Sequence, residues 1–223
     1  MGLNVRTVLG ALALSAAVAV TASGQLIGTV DRRVGNIFPF GGVFPNSVYQ
    51  NTVYQQVYAS SNFVLGPVLI SEIDFFPIAD SFGRLNTGTF NIFLSTTSAA
   101  VDGLNTTDFD ANRGADNTLF GSFALGGAAP RTLAFTGPGF FYNPSIGNLL
   151  VDMRISITLG GDDVEFGANS GNAGGVYSRA TNFGTGFEGV GLQTRFVSTP
   201  EPASILLVAT GLGGIAAIRW RRR

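Results

Sequence analysis

Apolar residues recur at every second position through most of the apolar segments of this chain. In TFNIFLS, Phe90, Ile92 and Leu94 fall on one side, with Asn91 and Ser95 on the other. In NLLVDMRISI, Leu149, Val151, Met153, Ile155 and Ile157 share one side, and Asp152, Arg154 and Ser156 share the other. VGLQTRFVS sets Val190, Leu192 and Phe196 against Gln193 and Arg195, and RTLAFT points Leu133 and Phe135 inward. A period of two belongs to a strand with one face in a core and one in solvent. Further strands are predicted over 53–59, 68–76, 118–125, 163–167 and 174–180. Clusters such as GGVFPN, TGPGFFYNP and LGGDD, rich in turn formers, punctuate them. Some nine short strands without internal helices predict an all-β body, a single antiparallel β-sandwich or jelly roll. No composition break interrupts residues 25–199, which read as one domain.

Composition agrees with this reading. The 31 glycines and the 12% of charged residues favour turns over long surface helices, which need charged outer faces. All 19 phenylalanines and all five tyrosines lie between residues 25 and 199. Burying one Phe contributes ~1.5–3 kcal/mol, and several are needed to oppose the entropy of ordering the chain. There is no cysteine, so disulfides and thiolate metal sites are excluded. There is no histidine, which removes the commonest general base, zinc ligand and triad member.

Charge is uneven. The whole chain carries −1, but Arg6, Arg219, Arg221, Arg222 and Arg223 sit at the ends. Setting these and Glu201 aside leaves eight arginines against 13 acids, a body near −5. Such a body has no basic face for nucleic acid.

The two ends differ from the body. A short start bearing Arg6, an apolar run from Val8 to Val20 and the small residues Ala22, Ser23 and Gly24 have the form of a secretory signal peptide, assigned to 1–24. Ala203 to Ile218 carries no charge, and sixteen helical residues would span ~24 Å against a hydrocarbon core of ~30 Å. With Trp220 at the interface and the basic cluster Arg219, Arg221, Arg222 and Arg223 kept cytoplasmic, the run predicts a C-terminal transmembrane helix. Pro200, Glu201 and Pro202 precede it and hold the chain extended.

Pro-Glu-Pro, an apolar stretch containing TGLGGIAAI and a final arginine cluster, in that order, resemble the PEP-CTERM sorting tail of exported bacterial surface proteins. YQQVYASSNF, FNIFLSTTS, NRGADNTLFGSF and GNLLVDMRI resemble segments recurring in PEP-CTERM proteins that carry no assigned activity. The resemblance implies export, processing of the 200–223 tail by an exosortase-type transpeptidase, and a setting of exopolysaccharide and biofilm. The implied location is an inner-membrane-anchored precursor and a mature protein at the cell surface or outside.

Candidate chemistry is sparse. In DFDANRGAD, the residues Asp108, Asp110, Asn112 and Asp116 offer hard oxygens at alternate positions, with Gly114 for a tight turn; calcium is the ligand they suit. The spacing departs from an EF-hand, and a polar loop bonded to its own backbone explains it as well. Asp162, Asp163 and Glu165 form a weaker group. Glycoside hydrolysis needs paired carboxylates, for which Glu72, Glu165 and Glu188 are candidates, with Glu72 and Asp74 on one strand face. Tyr49, Tyr54, Tyr58, Phe140, Phe141 and Tyr142 are candidates for a sugar-stacking platform. The expected function is a non-enzymatic exported surface or matrix protein, with a carbohydrate-binding module or a glycan hydrolase as alternatives.

Overall fold

The computed structural model describes residues 23–27, 35–42, 48–63, 66–79, 81–168, 176–182, 187–188 and 191–200. Its strands are β1 (Ser23–Ile27), β2 (Gly35–Asn36), β3 (Tyr49–Tyr58), β4 (Val68–Phe75), β5 (Thr87–Thr97), β6 (Thr118–Leu125), β7 (Leu133–Tyr142), β8 (Asn148–Leu159), β9 (Phe166–Gly167), β10 (Tyr177–Thr181), β11 (Phe187–Glu188) and β12 (Thr194–Pro200). They form three open antiparallel sheets: β1-β12-β4-β7, β11-β10-β3-β8-β5-β6 and the small pair β2-β9.

This architecture corrects the expectation of one sandwich or jelly roll flanked by a signal helix and a transmembrane helix. Among the described residues there is no α-helix, only two short 3-10 turns at Ser60–Asn62 and Asp110–Asn112, and none is long and apolar enough to cross a membrane. Residues 1–22 and 201–223, where those helices were placed, lie outside the described residues. At both boundaries the described chain is strand. Ser23 opens β1 opposite Ser198, and Pro200 ends β12 opposite Val68. Pro200 therefore belongs to the four-stranded sheet rather than to a segment held clear of it. A strand terminus tolerates a residue without an N–H.

The inward side chains follow the period of two. Leu149, Val151, Met153, Ile155 and Ile157 of β8 are all buried, and so are Phe90, Ile92 and Leu94 of β5. Across from them lie Ile70, Ile73 and Phe75 of β4, Leu133 and Phe135 of β7, and Phe196 of β12, in one continuous core. In β4 and β7 the alternation breaks at a bulge between Ile70 and Glu72. The extra residue is what lets both Ile70 and Ile73 face inward.

Phe40 comes from a turn, not a strand, yet it sits at the centre of the core. Its ring lies 5.0 Å from Phe75 and Phe166, 5.7 Å from Phe135 and 5.8 Å from Phe90. A turn driven between sheets carries backbone groups that must be bonded. Buried Asn86 does this. Its Nδ2 donates to the carbonyls of Pro39 (3.0 Å) and Gly41 (3.1 Å), its N–H donates to Phe40 O (2.7 Å), and its Oδ1 accepts from Gly161 N (2.8 Å).

Candidate functional site

The outer face of the six-stranded sheet is not the solvent face that alternation predicts. Antiparallel register aligns Ala180, Gln55, Asp152 and Phe93 in one row, and Ser178, Val57, Leu150 and Ser95 in the next. Residues 98–117, between β5 and β6, lie over these rows. Leu104 completes a small buried cluster with Val57, Leu150 and Ala180, against which Ala99, Val101 and Phe109 pack.

Beside this cluster is a polar clamp. Asp152, fully buried, accepts from Arg113 Nε at 2.6 Å and from Arg154 Nε at 2.9 Å. Asp110, in the 3-10 turn, accepts from Arg113 Nη1 at 3.0 Å and Arg154 Nη2 at 2.8 Å. Two carboxylates and two guanidiniums thus neutralise one another, which is the condition for holding charge out of water. The Arg113 guanidinium also lies over the Phe93 ring, 5.3 Å from its centroid.

Uncharged groups complete the attachment. Gln55 Nε2 donates to Phe109 O (2.8 Å), and Asn112 Nδ2 donates to Gln55 Oε1 (2.7 Å) and to Asn105 O (2.8 Å). Asn112 Oδ1 accepts from Asn105 N (2.7 Å), Thr97 Oγ1 donates to Asn112 O (2.6 Å), and Ser178 Oγ accepts from Asp102 N (2.7 Å). These bonds satisfy loop backbone groups of Asp102, Asn105, Phe109 and Asn112 that would otherwise be stranded over the sheet.

The proposed calcium ligands serve separate purposes in this arrangement. Asp108 Oδ1 accepts from Asp110 N and Ala111 N, capping the 3-10 turn. Asp110 is held by the two arginines, Asn112 is buried against Gln55, and Asp116 Oδ1 accepts from Thr96 N at 2.7 Å. No group of three or more Asp or Glu that could hold a metal ion occurs among the described residues. Gly114 is needed for close approach: a Cβ there would lie 1.8 Å from Thr96 O.

Asp162 Oδ2 accepts from Arg84 N at 2.8 Å. Glu72 accepts from Thr136 Oγ1 at 3.0 Å, and Asp74, fully buried, accepts from Arg195 Nε at 2.7 Å. Burial raises the Asp74 carboxyl above its usual range, against the lowering effect of Arg195.

The aromatic platform is corrected by burial. Tyr54, Tyr58, Phe140 and Tyr142 are core residues, Tyr49 is half-buried, and Phe141 is exposed. The hydroxyls of Tyr54 and Tyr58 bond to Gln56 and Thr194 inside the fold. Burial pushes Tyr54 up to about 12, and raises Tyr58 and Tyr142 as well.

Of the sorting residues, Pro200 is strand, while Glu201, Pro202, Arg219, Arg221, Arg222 and Arg223 lie outside the described residues. Processing by an exosortase-type enzyme, anchoring in a membrane, an inner-membrane precursor and display at a surface or in exopolysaccharide all rested on a C-terminal transmembrane helix. No helix of that kind occurs among the described residues, and these expectations are withdrawn.

Asp152, Arg154 and Gln55 were not picked out by motif. Their signal was that Val53, Val57 and Leu150 place apolar groups on the supposed solvent face, which calls for a cover. Comparison with models of known families, with characterised proteins and with solved structures finds no match for this chain.

Proposed function

We propose that the all-β body is a non-catalytic recognition module and that segment 98–117 is the part it presents. The observation that carries this is the clamp: a connection between adjacent strands is fixed to a sheet face by a charge-neutral set of four side chains built around the buried Asp152. Long ordered connections held on a rigid scaffold are where binding residues concentrate. The side of the segment turned away from the sheet shows Asn105, Thr107, Asp108, Asp110 and Asp116 to solvent. A general acid or base needs a group free to exchange a proton with a substrate. Here the buried acids Asp152 and Asp74 are each held by arginine and fix structure.

The test is an assay of the full chain against glycoside, ester, peptide and phosphoester substrates. The expected result is no turnover above the blank. Turnover that Asp152→Asn or Glu72→Gln abolishes would overturn the proposal.

A further inference from the structure

The outer face of the four-stranded sheet carries a second buried charge whose surroundings do not balance. Register places Arg195 beside Asp74 on β12 and Ala134 beside it on β7. Arg195 Nε and Nη2 both reach Asp74 Oδ2, each at 2.7 Å. Asp74 Oδ1 is buried and has no hydrogen-bond partner. The Ala134 side chain has no donor to offer it.

The neighbouring group on the same strand face is Glu72, two residues before Asp74, whose negative charge adds to the raising of the Asp74 carboxyl by burial. Glu72 itself is opposite Thr136 on β7 and Val197 on β12, and Thr136 Oγ1 donates to its Oε2. The charged groups that face Asp74 are Arg195 from β12 and Glu72 from β4. β7 contributes Ala134 and Thr136, neither charged, and β1, behind β12, contributes Gly24 and Leu26 beside Val197 and Arg195. Two carboxylates against one guanidinium leave an excess negative charge and an acceptor without a donor. A buried acceptor without a donor is destabilising. One added proton removes both faults.

We propose that Glu72 and Asp74 share one proton in the folded protein, so that the four-stranded sheet is a proton-binding device, most stable in weak acid. The proton lies between Asp74 Oδ1 and the Glu72 carboxyl, while Arg195 keeps Oδ2 and Thr136 keeps Glu72 Oε2. A folded state that holds a proton more tightly than the unfolded chain gains stability as pH falls. The gain is complete below the ordinary carboxylate value and is lost as pH rises through the raised folded value.

The experiment is denaturant unfolding of the full chain and of two isosteric variants across the acid-to-neutral range. Glu72→Gln supplies an N–H to Asp74 Oδ1 without a proton, and Asp74→Asn supplies one to Glu72 while still accepting from Arg195. The unsubstituted chain should gain in its folding constant by up to about tenfold per pH unit lowered, relative to either variant. Both variants should match or exceed it in stability at neutral pH. Profiles of chain and variants that run parallel, or variants less stable at neutral pH, overturn the proposal. Carboxyl-carbon NMR of the unsubstituted chain gives a second readout. Two coupled steps, one above the usual carboxylate range, are expected for the pair. Independent ordinary titrations of Glu72 and Asp74 would reject it.

Discussion

Asp152 Oδ2 lies 2.6 Å from Arg113 Nε, and this contact joins the interior of the six-stranded sheet to the segment that covers it. Asp152 belongs to β8, between β3 and β5, whereas Arg113 belongs to residues 98–117. The pair therefore ties a long connection to the part of the sheet least able to move.

Asp152→Ala is expected to lower stability by about 2–4 kcal/mol, because it leaves two arginines without the carboxylate that offsets them. Arg113 and Arg154 keep roughly a quarter of their side-chain surface exposed, so water relieves part of the loss. Asp110→Ala removes a carboxylate that is largely exposed and should cost about 1 kcal/mol or less. Denaturant unfolding of both variants checks the ordering, and an equal effect would contradict it.

Leu104→Ala should loosen the covering segment without disturbing the main core. Leu104 packs on Val57, Leu150 and Ala180 rather than among the phenylalanines between the sheets. A loss of about 2–3 kcal/mol is expected. Hydrogen exchange should quicken at the amides of 99–114 while those of β3 and β8 stay protected.

Gly114→Ala should be poorly tolerated, since its Cβ would meet the Thr96 carbonyl. The backbone must shift, at about 1–3 kcal/mol. The Gly114 N–H bond to Ser95 Oγ, 3.2 Å long, should be lost with it. A melting temperature equal to that of the unsubstituted chain would refute the close approach.

Alkali should unfold the protein through its buried tyrosines. Tyr54 is raised by burial from 10.0 to about 12 in the folded state. Its contribution is intact below the unfolded value and is lost as pH rises through the folded one. Phenolate absorbance should therefore lag behind that of an unfolded control between pH 10 and about 12. Superimposed titrations would contradict the burial.

Millimolar calcium should leave the melting temperature unchanged. Asp110 is held by Arg113 and Arg154, and Asp108 and Asp116 accept from backbone N–H groups. A stabilising shift abolished by Asp108→Asn would restore the calcium reading.

Much of the inner architecture was legible. The strand expected over 118–125 coincides with β6, and 68–76 differs from β4 by one residue. The five alternating apolar residues of β8 all reach the core. The polar clamp was legible only in pieces. DFDANRGAD stood out as oxygen-rich, but Asp152, 36 residues or more away in sequence, gave no local sign that it would meet Arg113. The burial of Tyr54 and Tyr58 was not legible because each parity of VYQQVY mixes one glutamine with apolar or aromatic residues, and no period separates inside from outside when both faces are covered.

Alternation along the chain establishes strands and their inward residues, because a half-buried strand must alternate whatever it later pairs with, and the lack of cysteine establishes a core without disulfides. Three features emerge only on folding: that 98–117 covers a sheet face, that Phe40 enters the core from a turn, and that Asp74 stands beside Arg195 and Glu72 with one oxygen lacking a donor. Each depends on the register and packing of segments far apart in sequence, and local periodicity carries no record of which distant strand will lie alongside.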